Sequence, residues 1–247
     1  MATLLKFLIL PVATLMMMIG GATADAIHDA VVSGDNDALV ALLDDGVDPN
    51  AATEQRVTPL HFAAHQGQIE AMAILLAAGA DVTARAAGDS TPLHWAADGG
   101  HVAAITALLE AGARLNAPNN RATVPLHWAA VRGHNDAITT LIKAGTDPNI
   151  KGDKNITPIH LAADGGHAEA VQILIDLGAN PNPGGYEGFT PIHMAAMKDR
   201  GAVISTLLDA GVPASTPDDF GATPFDFIGE DSPLYGGAVW QRLKDER

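Results

Sequence analysis

The chain has 247 residues, of which 47% are apolar, 17% are charged and none is cysteine. This apolar fraction is too high for a disordered acidic tail, and the lack of cysteine excludes disulfides, thiol nucleophiles and cysteine-ligated zinc. The formal net charge of −15 argues against general binding to nucleic-acid phosphates, which requires an excess of lysine and arginine.

The N-terminus has the layout of a secretory signal peptide. Lys6 precedes an apolar run over residues 7–19, and Ala22-Thr23-Ala24 matches an A-x-A cleavage site. A membrane anchor is the alternative, but the run is shorter than the ~20 residues that span a bilayer, and it contains Pro11. We predict that residues 1–24 are a signal peptide. The lack of cysteine favours export to a bacterial periplasm.

One motif recurs in phase through the rest of the chain. The heptad TPLHFAA begins at Thr58, and related heptads follow in steps of 33 residues, at Thr91, Val124, Thr157, Thr190 and Thr223. One step back from Thr58 reaches Asp25, where DAIHDAV keeps the histidine. The predicted units are 25–57, 58–90, 91–123, 124–156, 157–189 and 190–222, followed by a shortened capping unit at 223–247.

Each unit is predicted to form two helices. Thr followed by Pro is typical of a helix start, because the Thr hydroxyl caps free N–H groups and Pro fits the first helical position. Gly67 and Gly79 are predicted to end the two helices of the second unit, because glycine readily adopts a positive φ. Residues 83–90 are predicted to form a hairpin-like loop. One such pair cannot bury its apolar stripe alone, whereas stacked pairs share a continuous core.

These heptads, the period of 33 residues and the glycine-ended halves resemble the ankyrin repeat family over residues 25–247. The resemblance implies an all-α ankyrin repeat solenoid of seven stacked helix-turn-helix units, the last one shortened, with hairpin-like loops. It also implies that the TPLH histidine bonds the Thr hydroxyl of its own unit and the backbone of the next. Partners are expected on the concave face, which the loop tips and the first helices form.

The sequence departs from this pattern in two places. Four loops lack the glycine found two residues before the next unit at Gly188 and Gly221, so irregular loop tips are expected. The residues at that place are Arg56, Asp89, Ala122 and Asn155. In the sixth unit Asp199-Arg200 replaces a Gly-His pair, and a distorted junction between the two helices is expected there.

No catalytic motif is recognisable, and no cofactor or metal site is expected. Six of the ten histidines occupy the fourth place of a unit. Equivalent places in stacked helices lie ~8–10 Å apart, too far to share an ion whose ligands lie about 2 Å away. We interpret these histidines as neutral, buried groups whose charging in acid lowers stability. An enzyme that uses scattered His and Asp groups is the least favoured alternative.

The helical wheel indicates a candidate binding surface. At 100° per residue, the fifth place of each unit points away from the buried stripe. Two interpretations stay open: an exposed row of partner anchors, or side chains that pack sideways against the neighbouring helix. Basic residues of the central loops and one helix complete the set. The candidate partner-binding residues are Phe62, Trp95, Trp128, Arg132, Leu161, Met194, Arg121, Lys151 and Lys154.

The sequence therefore predicts a non-catalytic protein–protein interaction scaffold in a bacterial periplasm. We expect a monomer with a protein partner, without binding to nucleic acid, and without binding to a membrane once the signal peptide is cleaved. A secreted effector that binds a host protein is the alternative.

Overall fold

The computed structural model describes residues 24–246, which fold into thirteen α-helices without a β-strand in this range. The signal-peptide prediction for residues 1–24 lies outside the described residues, except for Ala24, where the first helix begins. No helix between residues 24 and 246 combines the length and the apolar character needed to cross a bilayer.

Twelve of the helices form six consecutive pairs, in which we call the first helix inner and the second outer. The inner helices are α1 (Ala24–Ser33), α3 (Pro59–Gln66), α5 (Pro92–Gly99), α7 (Pro125–Arg132), α9 (Pro158–Gly165) and α11 (Pro191–Met197). The outer helices are α2 (Asn36–Asp44), α4 (Ile69–Ala77), α6 (Val102–Glu110), α8 (Asn135–Lys143), α10 (Ala168–Asp176) and α12 (Gly201–Asp209). Helix α13 (Ala238–Asp245) follows a 3₁₀ turn at Pro224–Phe227.

In the five heptads that begin at Thr58, Thr91, Val124, Thr157 and Thr190, the histidine caps the start of the inner helix. At α3, the backbone N–H of Thr58 donates to Nδ1 of His61 at 3.2 Å, and the Thr58 hydroxyl lies 2.9 Å from the same nitrogen. At α7, Val124 replaces the threonine, yet its N–H still donates to Nδ1 of His127 at 3.2 Å. The helix start therefore depends on the imidazole more than on the Thr hydroxyl that the sequence emphasised.

The apolar stripes of the pairs meet in one continuous core. Leu60 and Ala63 of α3 and Leu75 of α4 are fully buried, and the same places are buried in the following pairs. The main contacts join the inner helices of consecutive pairs, such as α3 with α5 and α5 with α7. This arrangement is a solenoid of stacked helix pairs, in which each pair buries its apolar face against its neighbours.

The irregularity expected at the place of the missing glycine is not found, although the loops take two forms. The place two residues before each new unit is left-handed whether or not it is glycine, with a φ of 60° at Arg56 and 54° at Ala122. Neighbouring loops are joined through the backbone, and the N–H of Asp153 donates to the carbonyl of Arg121 at 2.8 Å. Three loops carry a second left-handed residue just before this place, at Gly88, Lys154 and Glu187, so the loops share the left-handed place and not the whole conformation.

The expected distortion in the sixth unit is small: α11 ends at Met197, one residue before the equivalent place in α9, but the junction that follows is preserved. Asp199 adopts a φ of 57° and so takes the left-handed place of the missing glycine. The N–H of Arg200 donates to the carbonyl of Ala195 at 2.8 Å, as the N–H of His167 does to Ala162 at 3.0 Å one unit earlier. An aspartate tolerates this conformation better than most residues, which explains the preserved junction.

The C-terminal segment covers the last helix pair. Leu243 of α13 is fully buried, and the ring of Phe227 lies 5.4 Å from that of Phe189. Its first half is a 3₁₀ turn in place of an inner helix, so this segment ends the row with a different local structure.

Candidate binding surface

The apolar residues at the fifth place of the units do not form an exposed row. Phe62, Trp95, Leu161 and Met194 are only 3%, 4%, 3% and 8% exposed, so the exposed-anchor interpretation is wrong for these four side chains. Phe62 and Trp95 lie sideways between neighbouring inner helices, where their rings meet edge to face at 5.8 Å. Trp128 is partly exposed and stays a candidate anchor.

The heptad histidines form a buried ladder between units. His61 Nε2 lies 3.2 Å from the carbonyl of Ser90, and His94 Nε2 lies 3.1 Å from that of Thr123. In each ring Nδ1 accepts the backbone N–H of the first residue of its heptad, so the ring is neutral and carries its proton on Nε2. Burial lowers the pKa of His94 to about 3 and that of His61, His127 and His160 to about 4.

A second ladder, which sequence reasoning missed, crosses the junctions between inner and outer helices. His134 Nε2 lies 2.8 Å from the carbonyl of Asp98, His167 Nε2 lies 3.1 Å from that of Val131, and Arg200 Nε donates to that of Asp164 at 3.3 Å. The signal that could have found it is the Gly-His pair that recurs at the end of the inner helices. These side chains occupy the space beside the preceding unit's glycine.

Arg132 crosslinks two units and is less available than the sequence implied. Its Nε and one terminal nitrogen donate to the two carboxylate oxygens of Asp98 at 2.7 and 3.1 Å. The Asp98 side chain is 1% exposed, and His65 Nδ1 lies 3.8 Å from it. Such a bidentate pair fixes the guanidinium in place. Arg132 therefore holds units together, with part of its side chain left towards solvent.

Asp164 lies two units after Asp98, in the equivalent place, and its carboxylate has no ion pair within 4 Å among the described residues. Burial raises the pKa of Asp164, and the nearby cations Lys198 and Arg200 oppose this shift. Lys198 and the neighbouring Met197 are exposed at the end of α11. The inner-helix surface here offers an apolar side chain, a cation and a half-buried acceptor.

The basic loop residues divide into two groups. Arg56 bonds Asp89 at 3.1 Å and Arg85 bonds the carbonyl of Pro118 at 2.8 Å, so both connect neighbouring loops. Arg121, Lys151 and Lys154 take part in none of the ion pairs among the described residues. These three are the sequence candidates that the structure places on neighbouring loop tips with charge available to a partner.

Two exposed aromatic residues lie on the next loop tips, and sequence reasoning did not single them out. Phe220 is 70% exposed and Tyr186 is 44% exposed. The ammonium group of Lys154 lies 4.5 Å from the centre of the Tyr186 ring. Both aromatics lie in the loops between glycine-ended helices, which is the only sequence signal that marked them.

Two hollows lie on the surface of the described residues. A cavity of about 140 Å³ lies between two loops beside Arg85 and Arg114, and an open groove of about 740 Å³ lies along α1 and α2. Among residues 24–246, no three His, Asp or Glu side chains are grouped closely enough to hold a metal ion.

Comparisons with known proteins agree with this geometry. The family model described as ankyrin repeats (3 copies) matches residues 4–86, 27–119, 86–152 and 126–218. The crystal structure of the human ASB11 ankyrin repeat domain is similar, with 29% sequence identity and a TM-score of 0.79. That alignment covers 90% of this chain and 97% of the ASB11 chain. None of the curated proteins compared with the chain matches it.

Proposed function

The chain belongs to the ankyrin repeat family, and from that premise we propose that it is an exported, non-catalytic scaffold that binds a protein partner. Ankyrin repeats generally mediate protein–protein interactions. The proposed surface consists of the loop tips and the exposed ends of the inner helices. The proposed location is a bacterial periplasm, which rests on the signal-peptide layout of residues 1–24 and the lack of cysteine.

The observation that carries the proposal is the exposure of large apolar side chains on ordered backbone along this surface. Met197, Tyr186 and Phe220 are 44%, 44% and 70% exposed, whereas the other apolar residues of their units are mostly buried. Exposed apolar and aromatic groups beside cations are typical of contact surfaces between proteins. The two ladders and the Asp98–Arg132 pair hold this surface rigid, so binding requires little ordering of the backbone.

Copurification from the cells that express the protein tests the proposed surface. The tagged full chain is expected to retain a protein partner, and Met197→Lys is expected to reduce its recovery by about tenfold, because a charge replaces an apolar group that the partner would bury. The matched control is Ile69→Lys, since Ile69 is similarly exposed, at 40%, but lies on outer helix α4. Recovery of the partner that is insensitive to Met197→Lys and lost with Ile69→Lys would place the interface on the outer helices.

Fractionation of the same cells tests the location. A processed chain that begins near residue 25 in the periplasmic fraction supports the proposal. Its accumulation in the culture medium supports the secreted-effector alternative, and an unprocessed cytoplasmic chain contradicts both.

A further inference from the structure

Five residues on four consecutive loops form a strip that we call the fingertip patch. Lys151, Lys154, Tyr186 and Phe220 are exposed, and Arg121 is half-buried. The first two of these loops are joined by the N–H of Asp153, which donates to the carbonyl of Arg121 at 2.8 Å, and the last two by that of Asp219, which donates to Glu187 at 3.1 Å. The two middle loops are linked by His160, whose Nε2 lies 3.1 Å from the carbonyl of Phe189. The patch is therefore a preformed surface.

One end of the patch is apolar. Phe220 and Tyr186 lie on neighbouring tips, and both are exposed although the backbone beneath them is held by hydrogen bonds. Exposed aromatic rings on ordered loops favour contact with an apolar or aromatic side chain of a partner.

The other end is cationic. Arg121, Lys151 and Lys154 belong to none of the ion pairs within residues 24–246, whereas Arg56 and Arg132 are paired with aspartates. Asp153 is the acidic residue of these two tips, so positive charge is in excess here although the chain carries a net charge of −15. The acidic groups Glu187 and Asp219 lie at the aromatic end. The charge distribution therefore fixes the orientation of a ligand with an acidic end.

We propose that the fingertip patch binds an extended acidic segment of a protein partner, with the acidic residues at Arg121, Lys151 and Lys154 and an apolar residue between Tyr186 and Phe220. This inference rests on the proposed scaffold function and names the chemistry of its partner. Two loop steps of ~8–10 Å separate the tips of Lys154 and Phe220. An extended chain covers this distance in about five or six residues.

Fluorescence anisotropy with synthetic peptides tests the proposal. The probe is a labelled peptide of three glutamates, a five-residue Gly-Ser spacer and Phe-Leu, made in both sequence orders because either chain direction fits the patch. We expect one order to bind the full chain, with an affinity that falls as NaCl rises from about 50 to about 500 mM. Peptides with Lys for Glu, or with Ser for Phe-Leu, are expected to bind at least about tenfold more weakly.

Paired variants of the protein assign the binding to the patch. Two double variants, Arg121→Glu/Lys154→Glu and Tyr186→Ser/Phe220→Ser, should each bind the acidic peptide about tenfold or more weakly than the unchanged chain. The controls are Lys143→Glu, at an exposed cation on α8, and Ile69→Ser, at an exposed apolar residue on α4. Both are expected to leave the affinity for the acidic peptide unchanged. Circular dichroism melting of all variants checks that the substituted chains are folded.

Three results would overturn the proposal. One is equal binding of the acidic and the lysine-containing peptides, and another is equal binding by the patch variants and the unchanged chain. The third is tighter binding of a labelled single-stranded oligonucleotide, since exposed cations and aromatic rings also suit that ligand. If any one of these results is obtained while the unchanged chain still copurifies with a protein partner, the fingertip proposal fails and the scaffold function stands. If no partner copurifies, the scaffold function itself fails.

Discussion

At the scale of single residues, the protein places ordinary side chains in a backbone conformation that favours glycine. Arg56, Ala122 and Asn155 have φ values of 60°, 54° and 59° at equivalent loop places. Such left-handed conformations cost roughly 1–2 kcal/mol for residues with a Cβ atom. The loops keep the conformation because the backbone hydrogen bonds between neighbouring tips would otherwise be lost.

Ala122→Gly should therefore stabilise the protein. Ala122 is exposed, so the substitution removes the steric cost of its Cβ without removing a buried contact. We expect the free energy of unfolding to rise by about 1 kcal/mol, measured by urea denaturation. Ala52→Gly is the matched control, because Ala52 is an exposed loop residue outside the positive-φ set. It should lower that free energy by about 0.4–1 kcal/mol. A loss of stability in both variants would contradict the strain at Ala122.

At the scale of the helix pair, the glycine that ends each inner helix has two roles. Gly100 has a φ of 73°, and a Cβ atom at this place would lie 2.6 Å from the ring of His134. Gly67 and Gly133 have the same relation to the rings of His101 and His167. Glycine here both ends the helix and makes room for the ring that bridges to the preceding unit.

Gly100→Ala should separate these two roles. Strain and collision with the His134 ring together are expected to lower the free energy of unfolding by about 2–4 kcal/mol. Gly112→Ala is the control, since Gly112 has a φ of 94° but no heavy atom within 4 Å of the place that an added Cβ atom would take; it should cost about 1–2 kcal/mol. In a double-mutant cycle, adding His134→Ala to Gly100→Ala should recover part of the free energy of unfolding that Gly100→Ala loses beyond Gly112→Ala. Equal losses for both glycines would show that the ring imposes no constraint.

At the scale of the whole molecule, stability depends on the ladder that links unit to unit. His61, His94, His127 and His160 have pKa values of about 4, 3, 4 and 4 because of burial. In the unfolded chain their pKa is near 6.5. Below that value the unfolded chain binds more protons than the folded one, so stability is present above pH 6.5 and is lost as the pH falls.

Calorimetry between pH 7.5 and 5.5 measures this dependence. Each of the four imidazoles should lower the free energy of unfolding by about 1.4 kcal/mol over the window, or about 5.5 kcal/mol together. Carboxylates mostly titrate below this window, so they contribute little to the change. A melting temperature that is the same at both pH values would contradict neutral, buried imidazoles.

The sequence by itself determined the architecture, because its period, its Thr-Pro starts and its glycine ends depend on local backbone preferences that repeat in every unit. Thr58, Gly67 and Gly79 carry this information without knowledge of their neighbours. The buried role of the heptad histidines was also accessible, since their spacing excluded a shared ion.

Only the tertiary structure decided which side chains are available to a partner. A helical wheel gives the direction of Trp95 but not how closely the neighbouring inner helix approaches, and that approach buries it to 4% exposure. The pairing of Arg132 with Asp98 and the contact of Lys154 with the Tyr186 ring likewise depend on residues one unit away. Exposure and pairing are properties of contacts between units, and local sequence preferences do not contain them.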